Sequence, residues 1–510
     1  MKQRILLLLL GVVSVVQAQD SLRIQRDYPH YFYQTIQQNF HENPELYRNS
    51  PIAEYTLARF TVAKEHRFVR SAANAEKVTD LNLEATGIYR LKSALLVGDM
   101  SYVKNFEKGH GFNLTNRTNF WNQAESTPFK KLAYALGDWN NQLFKLNGAL
   151  VFPVSSDTFF AKLGGKYQTS QFYKTIQPKP RILSMFIEGE LGLFWKLSSF
   201  TVGVHGTYGV ITEESDIIYD GEASYFNIPV NVDLFLRSAF GLGSIETAIG
   251  LDHTSYESRA GFGASVMKTD KEVRWHAKAE FKRGTNKFYN SLTTANDRYL
   301  LGTYTYNTTR AKFQYYDFGN GQQFDLSGVF STGNNYKVST QGKNYDARFW
   351  EAKAGYQKVT RSASSVTANY GTQLGLHQLQ KKDYQVLNSF KYTNAALTVF
   401  YSSDIAVNKS AKLYGRASLG GRINLSKQQL FSLRNTLVDQ EIAPFVALET
   451  AKQVQGELQL GYQYQFKHAT YVDFGVKVKV KGKGFLSALN LPLQTGRIQQ
   501  LTQAYVTITY

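Results

Sequence analysis

The sequence predicts an all-β chain closed as an antiparallel up-and-down transmembrane β-barrel, and three observations predict it. Long runs alternate apolar and polar residues with a period of two. Short turn-forming clusters and longer connections alternate between those runs. After the N-terminal leader, no segment reaches the roughly 18 unbroken apolar residues of a membrane helix. A chain that enters a bilayer without such helices must close its sheet, because backbone groups at an open edge would find no partner in hydrocarbon.

Taken in order, the chain opens MKQRILLLLLGVVSVVQAQ. Lys2 and Arg4, the apolar run Ile5 to Val16 and the end Val16-Gln17-Ala18 predict a secretory signal peptide over 1–18. Residues 19–52 are expected to form a periplasmic or lumen-inserted segment, and 53–510 the barrel. With no Cys, lipoprotein signals, disulfides and thiolate metal sites are excluded. Only 10 Pro in 510 residues and no Ser/Gly linker leave no internal domain boundary.

The clearest strand pair runs from Leu458 to Gly482. Leu458, Leu460, Tyr462, Tyr464 and Phe466 share one face, and Glu457, Gln459 and Gln463 the other. After Lys467-His468-Ala469, Val472, Phe474, Val476, Val478 and Val480 oppose Asp473, Lys477, Lys479 and Lys481. A period of 3.6 would scatter these residues around a helix. The same alternation recurs at 144–152, 159–167, 187–196, 202–210, 273–281, 350–357 and 413–425. The runs last about 10 to 15 residues, against 5 or 6 for soluble strands. Ten residues tilted by about 45° cover roughly 23 Å, close to the apolar band of a membrane barrel.

Short turns are expected near Lys92, Ser155, Ser198, Asp270, Asn320, Ser362, Asn394, Lys427 and His468. Longer external connections are expected at 67–79, 107–138, 172–182, 213–255, 286–302, 333–345, 379–383, 405–411, 439–454 and 482–500. Together they predict about 20 strands (roughly 16 to 22, an even number), with both termini periplasmic. Aromatics at 14% suit the girdles that anchor a barrel at the two membrane interfaces.

If apolar faces meet lipid, the opposite faces line a lumen of mixed charge. The candidate lumen residues are Lys477, Lys479, Lys481, Arg416, Arg422, Lys278, Glu280, Glu188 and Glu190, with Lys145, Lys162, Lys166, Arg274, Lys282, Lys353, Glu351, Glu457 and Asp473 on further inward faces. Cations predominate modestly, which favours anions in the lumen; cross-strand ion pairs that merely solvate a wall would give the same pattern. A lumen of this strand number, left open, would be roughly 40 Å across. The pre-barrel segment and the connections 107–138 and 213–255 are therefore expected to plug it. That segment is too short for a globular plug domain, which disfavours a TonB-dependent receptor.

The net charge of +18 points to anionic solutes and phosphate-rich lipid head groups rather than nucleic acid. The nine His are scattered and predict no metal site or cofactor. The one local hint of chemistry is Asp252-His253-Thr254-Ser255, where a base and a hydroxyl share a strand face. It is similar to the His-x-Ser pair of outer-membrane phospholipases, but the stretch that follows, SYESRAGFGASVMKT, lacks the Asn that would complete it. No enzyme is predicted.

The chain ends LTQAYVTITY, with Val506, Ile508 and Tyr510 on one face and an aromatic last residue. Leader, long alternating strands and this terminal strand together resemble the Gram-negative outer-membrane β-barrel proteins, of large uncharacterised type. The resemblance implies an outer-membrane location, recognition of Val506, Ile508 and Tyr510 by the barrel assembly machinery, and contact with outer-membrane lipid and lipopolysaccharide. The expected function is a channel or transporter for small polar solutes with a partly plugged lumen. An accessory part of an envelope complex and a lateral-gate transporter of hydrophobic molecules are the alternatives.

Overall fold

The computed structural model describes residues 43–47, 55–67, 74–114, 124–156, 158–176, 178–218, 236–247, 252–269, 273–291, 298–361, 366–408, 410–466, 470–483 and 498–509. The expected signal peptide, most of segment 19–52 and Tyr510 lie outside the described residues.

The first seven strands are β1 (Tyr55–Arg67), β2 (Lys77–Leu91), β3 (Ala94–Asn113), β4 (Lys130–Ser156), β5 (Phe159–Lys174), β6 (Lys179–Leu197) and β7 (Phe200–Ile218). Two short strands, β8 (Arg237–Ala239) and β9 (Ile245–Thr247), form a hairpin that pairs with the start of β4. The wall resumes with β10 (His253–Thr269), β11 (Val273–Ser291), β12 (Arg298–Asp317), β13 (Gln322–Lys337), β14 (Tyr345–Arg361) and β15 (Val366–Asp383). It is completed by β16 (Asn388–Asn408), β17 (Ala411–Leu430), β18 (Gln453–Gln465), β19 (Tyr471–Lys483) and β20 (Ile498–Thr509).

All 20 strands belong to one antiparallel sheet, and all but β8 and β9 form the wall, which makes an 18-stranded barrel. Strand β7 pairs directly with β10, and β1 pairs with β20 from Leu57↔Thr509 to Arg67↔Gln499, so no edge is left in the bilayer. The cylinder is roughly 36 Å across at about 4.8 Å per strand and about 40° tilt.

Alternation sets what each face meets. Phe60, Leu146, Leu191, Phe262, Phe330, Leu397, Leu419, Leu460 and Val476 all point outward and are exposed. Near the ends that carry the short turns, Phe159–Trp195, Phe200–Trp275, Trp275–Phe313 and Phe313–Phe324 are ring neighbours 5.0 to 6.4 Å apart and make an aromatic row on the outer face. That row marks the periplasmic rim. Two of the turns there are as tight as a hairpin permits: Leu91 pairs with Ala94 and Leu197 with Phe200, and both turns carry a positive φ, 48° at Lys92 and 56° at Ser198.

The expected turns at Asn394 and Lys427 are not there. Strands β16 and β17 run through both positions, and 405–411 is a periplasmic turn rather than an external loop. The cause is a β-bulge: Thr393 pairs with Ser426 but Asn394 with Asn424, so one extra residue on β17 inverts its alternation. A broken alternation reads as a turn in one dimension. The connection 384–387, short for an external loop, is nonetheless one, with Leu387 at a φ of 55°.

Candidate functional site in the barrel lumen

The extracellular half of the lumen is filled by a cap built from three long connections. Phe129, from the β3–β4 connection, packs between Phe240 (5.8 Å) of the β8–β9 hairpin and Phe288 (5.4 Å) of the wall. The β17–β18 connection folds as a π-helical turn, Val438–Ile442, and a helix α1 (Ala443–Thr450); Leu437, Val438, Ile442 and Val446 join the same buried cluster. Polar groups stitch the cap to the wall. The Leu242 N–H donates to Asp383 Oδ2 at 2.8 Å and Asn388 Nδ2 to the Leu242 carbonyl at 2.6 Å, while within the cap Asn435 Nδ2 donates to the Gly243 carbonyl at 2.8 Å.

Beneath the cap lies a cavity of about 490 Å³ lined by strands β3 to β7 and β10 to β13. Its centre is Glu188, 3% exposed, whose carboxylate meets Lys166 and Lys282 at 2.9 Å and Arg259 at 3.2 Å. These four residues stand on four strands, and a glycine makes the reach possible. Glu188 and Arg259 both pair with Gly209, where a Cβ would lie 3.1 Å from that of Glu188. Beside them Lys162 binds Glu190 at 2.8 Å, and Glu280 takes both Lys278 at 2.7 Å and His205 at 3.0 Å. Of the charged side chains lining this cavity, Lys162, Lys166, Lys278, Lys282, Arg310 and Lys312 outnumber Asp99, Glu188, Glu190 and Glu280 by six to four.

A short 3-10 turn, Pro44–Tyr47, sits in the same lumen, and Asn43 and Pro44 line the cavity. Glu45 is 3% exposed and lies 3.5 Å from Lys162. Burial acts to raise its carboxyl pKa, but Lys162, with Lys278 and His276 beyond, brings it down to about 2.

A second cavity of about 480 Å³ lies on the cap side and shares Arg310 and Val329 with the first. Arg310 meets Glu125 of the cap at 2.6 Å, and Arg422 meets Glu449 of α1 at 2.7 Å. Both pairs are part-exposed, so each holds the cap by about 1 kcal/mol or less. The buried apolar cluster carries most of the closure.

The structure brings Lys278, Glu280, Glu188 and Glu190 to the lining of one cavity, in three neighbouring ion-pair groups, and sends the other candidates elsewhere. Lys477 pairs with Glu457 at 3.0 Å; Lys479 and Lys481 share its inward face, and none of the three lines either lumen cavity. Arg416 stacks over Phe400 at 4.6 Å. Arg422 serves the cap. Val506 and Ile508 lie on the outward face of β20, opposite Phe474 and Val472 of β19.

Arg259, Arg310, Lys312 and Glu125 also serve the lumen, and the alternation of their own segments does not single them out. On β12 the inward residues are Tyr304, Tyr306, Thr308 and Arg310, with Thr303, Thr305 and Asn307 outward, so the usual hydropathy contrast is inverted there. Tyr306 faces inward because its ring lies over Gly284, and its hydroxyl donates to Glu257 at 2.7 Å. His253 and Ser255 share an inward face but form no working pair. The His253 ring packs tilted against Phe288 at 4.0 Å, its Nε2 is 3.9 Å from Glu213, and Ser255 Oγ accepts instead from Asn286 Nδ2 at 2.7 Å.

Residues 44–510 match the model of a family of unknown function, DUF6850, and the chain belongs to that family. No curated protein matches the sequence. Among solved structures, the outer membrane transporter YddB from Escherichia coli is 7% identical over 90% of this chain and 81% of its own, with a TM-score of 0.38. The copper transporter OprC is 6% identical over 89% and 80%, with a TM-score of 0.40. A Pseudomonas aeruginosa FadL homologue is 12% identical over 89% and 90%, with a TM-score of 0.28.

Proposed function

We propose that this member of the family is an outer-membrane transporter that passes small polar solutes, anions foremost, through a lumen closed at rest. The observation that carries the reading is the pair of charged cavities meeting at Arg310 beneath a cap of loops. A wall that only needed solvation would not require an apolar cluster across its mouth. The N-terminal segment around Glu45 narrows the periplasmic side, so the resting protein is a capped and partly plugged barrel.

The cap variant Val438→Asp tests this, because a carboxylate in the buried cluster costs several kcal/mol and loosens the roof while leaving every wall strand intact. In planar bilayers the wild-type protein should pass little current. The folded variant should conduct at least tenfold more, with a reversal potential in a KCl gradient that favours chloride. A folded variant that stays silent, or that prefers potassium, refutes the proposal.

A second reading, lateral passage of an apolar molecule, has one observation in its favour. A groove of about 560 Å³ on the outer face, walled by Leu191, Leu193 and Val204, shares His205, Phe262, Glu280 and Phe281 with the lumen cavity. It would require the unbroken β7–β10–β11 ladder to part. A disulfide engineered across β7 and β10 would stop apolar uptake on this reading and leave polar flux unchanged on the first.

A further inference from the structure

The inward face of β18, β19 and β20 carries one arrangement twice. Lys481 stands between Gln455 and Gln499, its direct partners on the two neighbouring strands, and Lys477 stands between Gln459 and Gln503 in the same way. Between these two levels Lys479 lies opposite Glu457 and Leu501. Cross-strand partners are about 5 Å apart, and the two levels are separated by about 13 Å along β19. An ammonium flanked by carboxamides is thus repeated down one wall of the lumen.

Much of its bonding capacity is unused. Glu457 holds Lys477 at 3.0 Å, but among the described residues no ion pair engages Lys479 or Lys481, and no side-chain hydrogen bond engages Gln455 or Gln503. Gln459 Nε2 donates to the Tyr505 hydroxyl at 2.7 Å and Gln499 Nε2 donates to Glu65, which leaves each amide its carbonyl oxygen and a second N–H. Glu65 is itself held by Arg67 at 2.6 Å, so the positive surplus on β19 stays. The row has defined ends. Gln453, one inward position above Gln455, donates to the Leu448 carbonyl of α1 at 2.9 Å, and Arg422 beside it lines the cap-side cavity. Below Lys477, Gly461 pairs with Gly475, and the rings of Tyr414 and Tyr505 cover them. The row therefore runs from the cap-side cavity down to a floor of two tyrosines.

We propose that this face is a binding site for an acidic oligosaccharide, with its carboxylates on Lys479 and Lys481 and its hydroxyls on the glutamines. Ammonium groups hold carboxylates by charge-assisted hydrogen bonds. A sugar hydroxyl both donates and accepts, as a carboxamide does, whereas a simple anion only accepts and would leave the glutamine carbonyls unmatched. An acidic peptide would take its backbone bonds from a free strand edge, and the closed wall has none. The first cavity makes the contrast. There Glu188, Glu190 and Glu280 already hold Lys166, Lys282, Lys162 and Lys278, and no carboxamide stands between them.

The inference deepens the proposed passage of anions by naming their class, and it rests on that reading for the route but not for the binding itself. The test is titration calorimetry of the whole protein in a zwitterionic detergent with trigalacturonate. Maltotriose, tripolyphosphate and triglutamate form the other arms. Trigalacturonate should bind wild type most tightly of the four. The K479Q/K481Q variant should lose about tenfold or more in affinity, and the Q455A/Q503A variant about fivefold or more. Heat-modifiable gel mobility checks folding, and Lys479→Gln alone replaces a double variant that fails it. Equal binding by K479Q/K481Q and wild type overturns the proposal. So does unchanged binding by Q455A/Q503A, or tripolyphosphate bound as tightly, either of which would mean a site for anions in general. Equal binding of maltotriose would overturn it in favour of neutral glycans, and equal binding of triglutamate in favour of acidic peptides. A chloride current through the Val438→Asp barrel without trigalacturonate binding sinks this inference alone. Binding by a protein whose cap variant stays silent sinks only the transport reading.

Discussion

Replacing Glu45 by Gln should release the 43–47 turn from the lumen wall. The Glu45 carboxyl titrates near 4.5 when free in water and at about 2 when docked, a difference of 2.5 units. At about 1.4 kcal/mol per unit this is about 3 kcal/mol of docking free energy, or two orders of magnitude in the docked population. The loss is confined to that term, because Lys162 keeps Glu190 at 2.8 Å and is not left as an unpaired buried charge. The sign follows from a depressed carboxylate: the stabilisation is full above about pH 4.5 and disappears as pH falls towards 2. Amide hydrogen exchange of 43–47, corrected for intrinsic rates, reads the opening directly. At pH 7 protection in the variant should drop about a hundredfold while the wall strands keep theirs. Wild-type protection should fall between pH 4.5 and 2, and that of the variant should stay flat. Equal protection of the segment in both proteins at pH 7 would refute the reasoning.

Two substitutions test which face meets lipid and how the lumen is packed. Leu419 is 60% exposed on the outward face of β17, so Leu419→Lys should cost about 2 to 4 kcal/mol in urea titrations of vesicle-inserted protein. Its neighbour Ser418 faces inward and pairs with Glu457, so Ser418→Lys should change stability by less than about 1 kcal/mol. Gly461 is covered by the Tyr414 ring, whose hydroxyl is 2.7 Å from that of Tyr505, and Gly461→Val should destabilise the barrel by about 1 to 3 kcal/mol through overpacking. At Gly456, where a Cβ would meet nothing within 4 Å, the same change should stay within about 0.5 kcal/mol.

The sequence by itself determined that the chain is a long-stranded barrel and which side of most strands faces outward. It could do so because the bilayer imposes a local rule: every second residue must be apolar over the whole apolar band, as from Leu458 to Val480. It also placed the tight turns at Lys92 and Ser198 and the inward direction of Lys477. Tertiary structure decided which charges meet. The partners of Glu188 come from β5, β10 and β11, through a gap at Gly209 that only the lateral register creates. It also decided that β12 turns its tyrosines inward, that β16 and β17 continue through a bulge, and that three distant connections join in one apolar cap. Period and side are local properties of a strand, whereas register around a closed cylinder and the folding-in of loops depend on residues hundreds of positions apart, which no single run encodes.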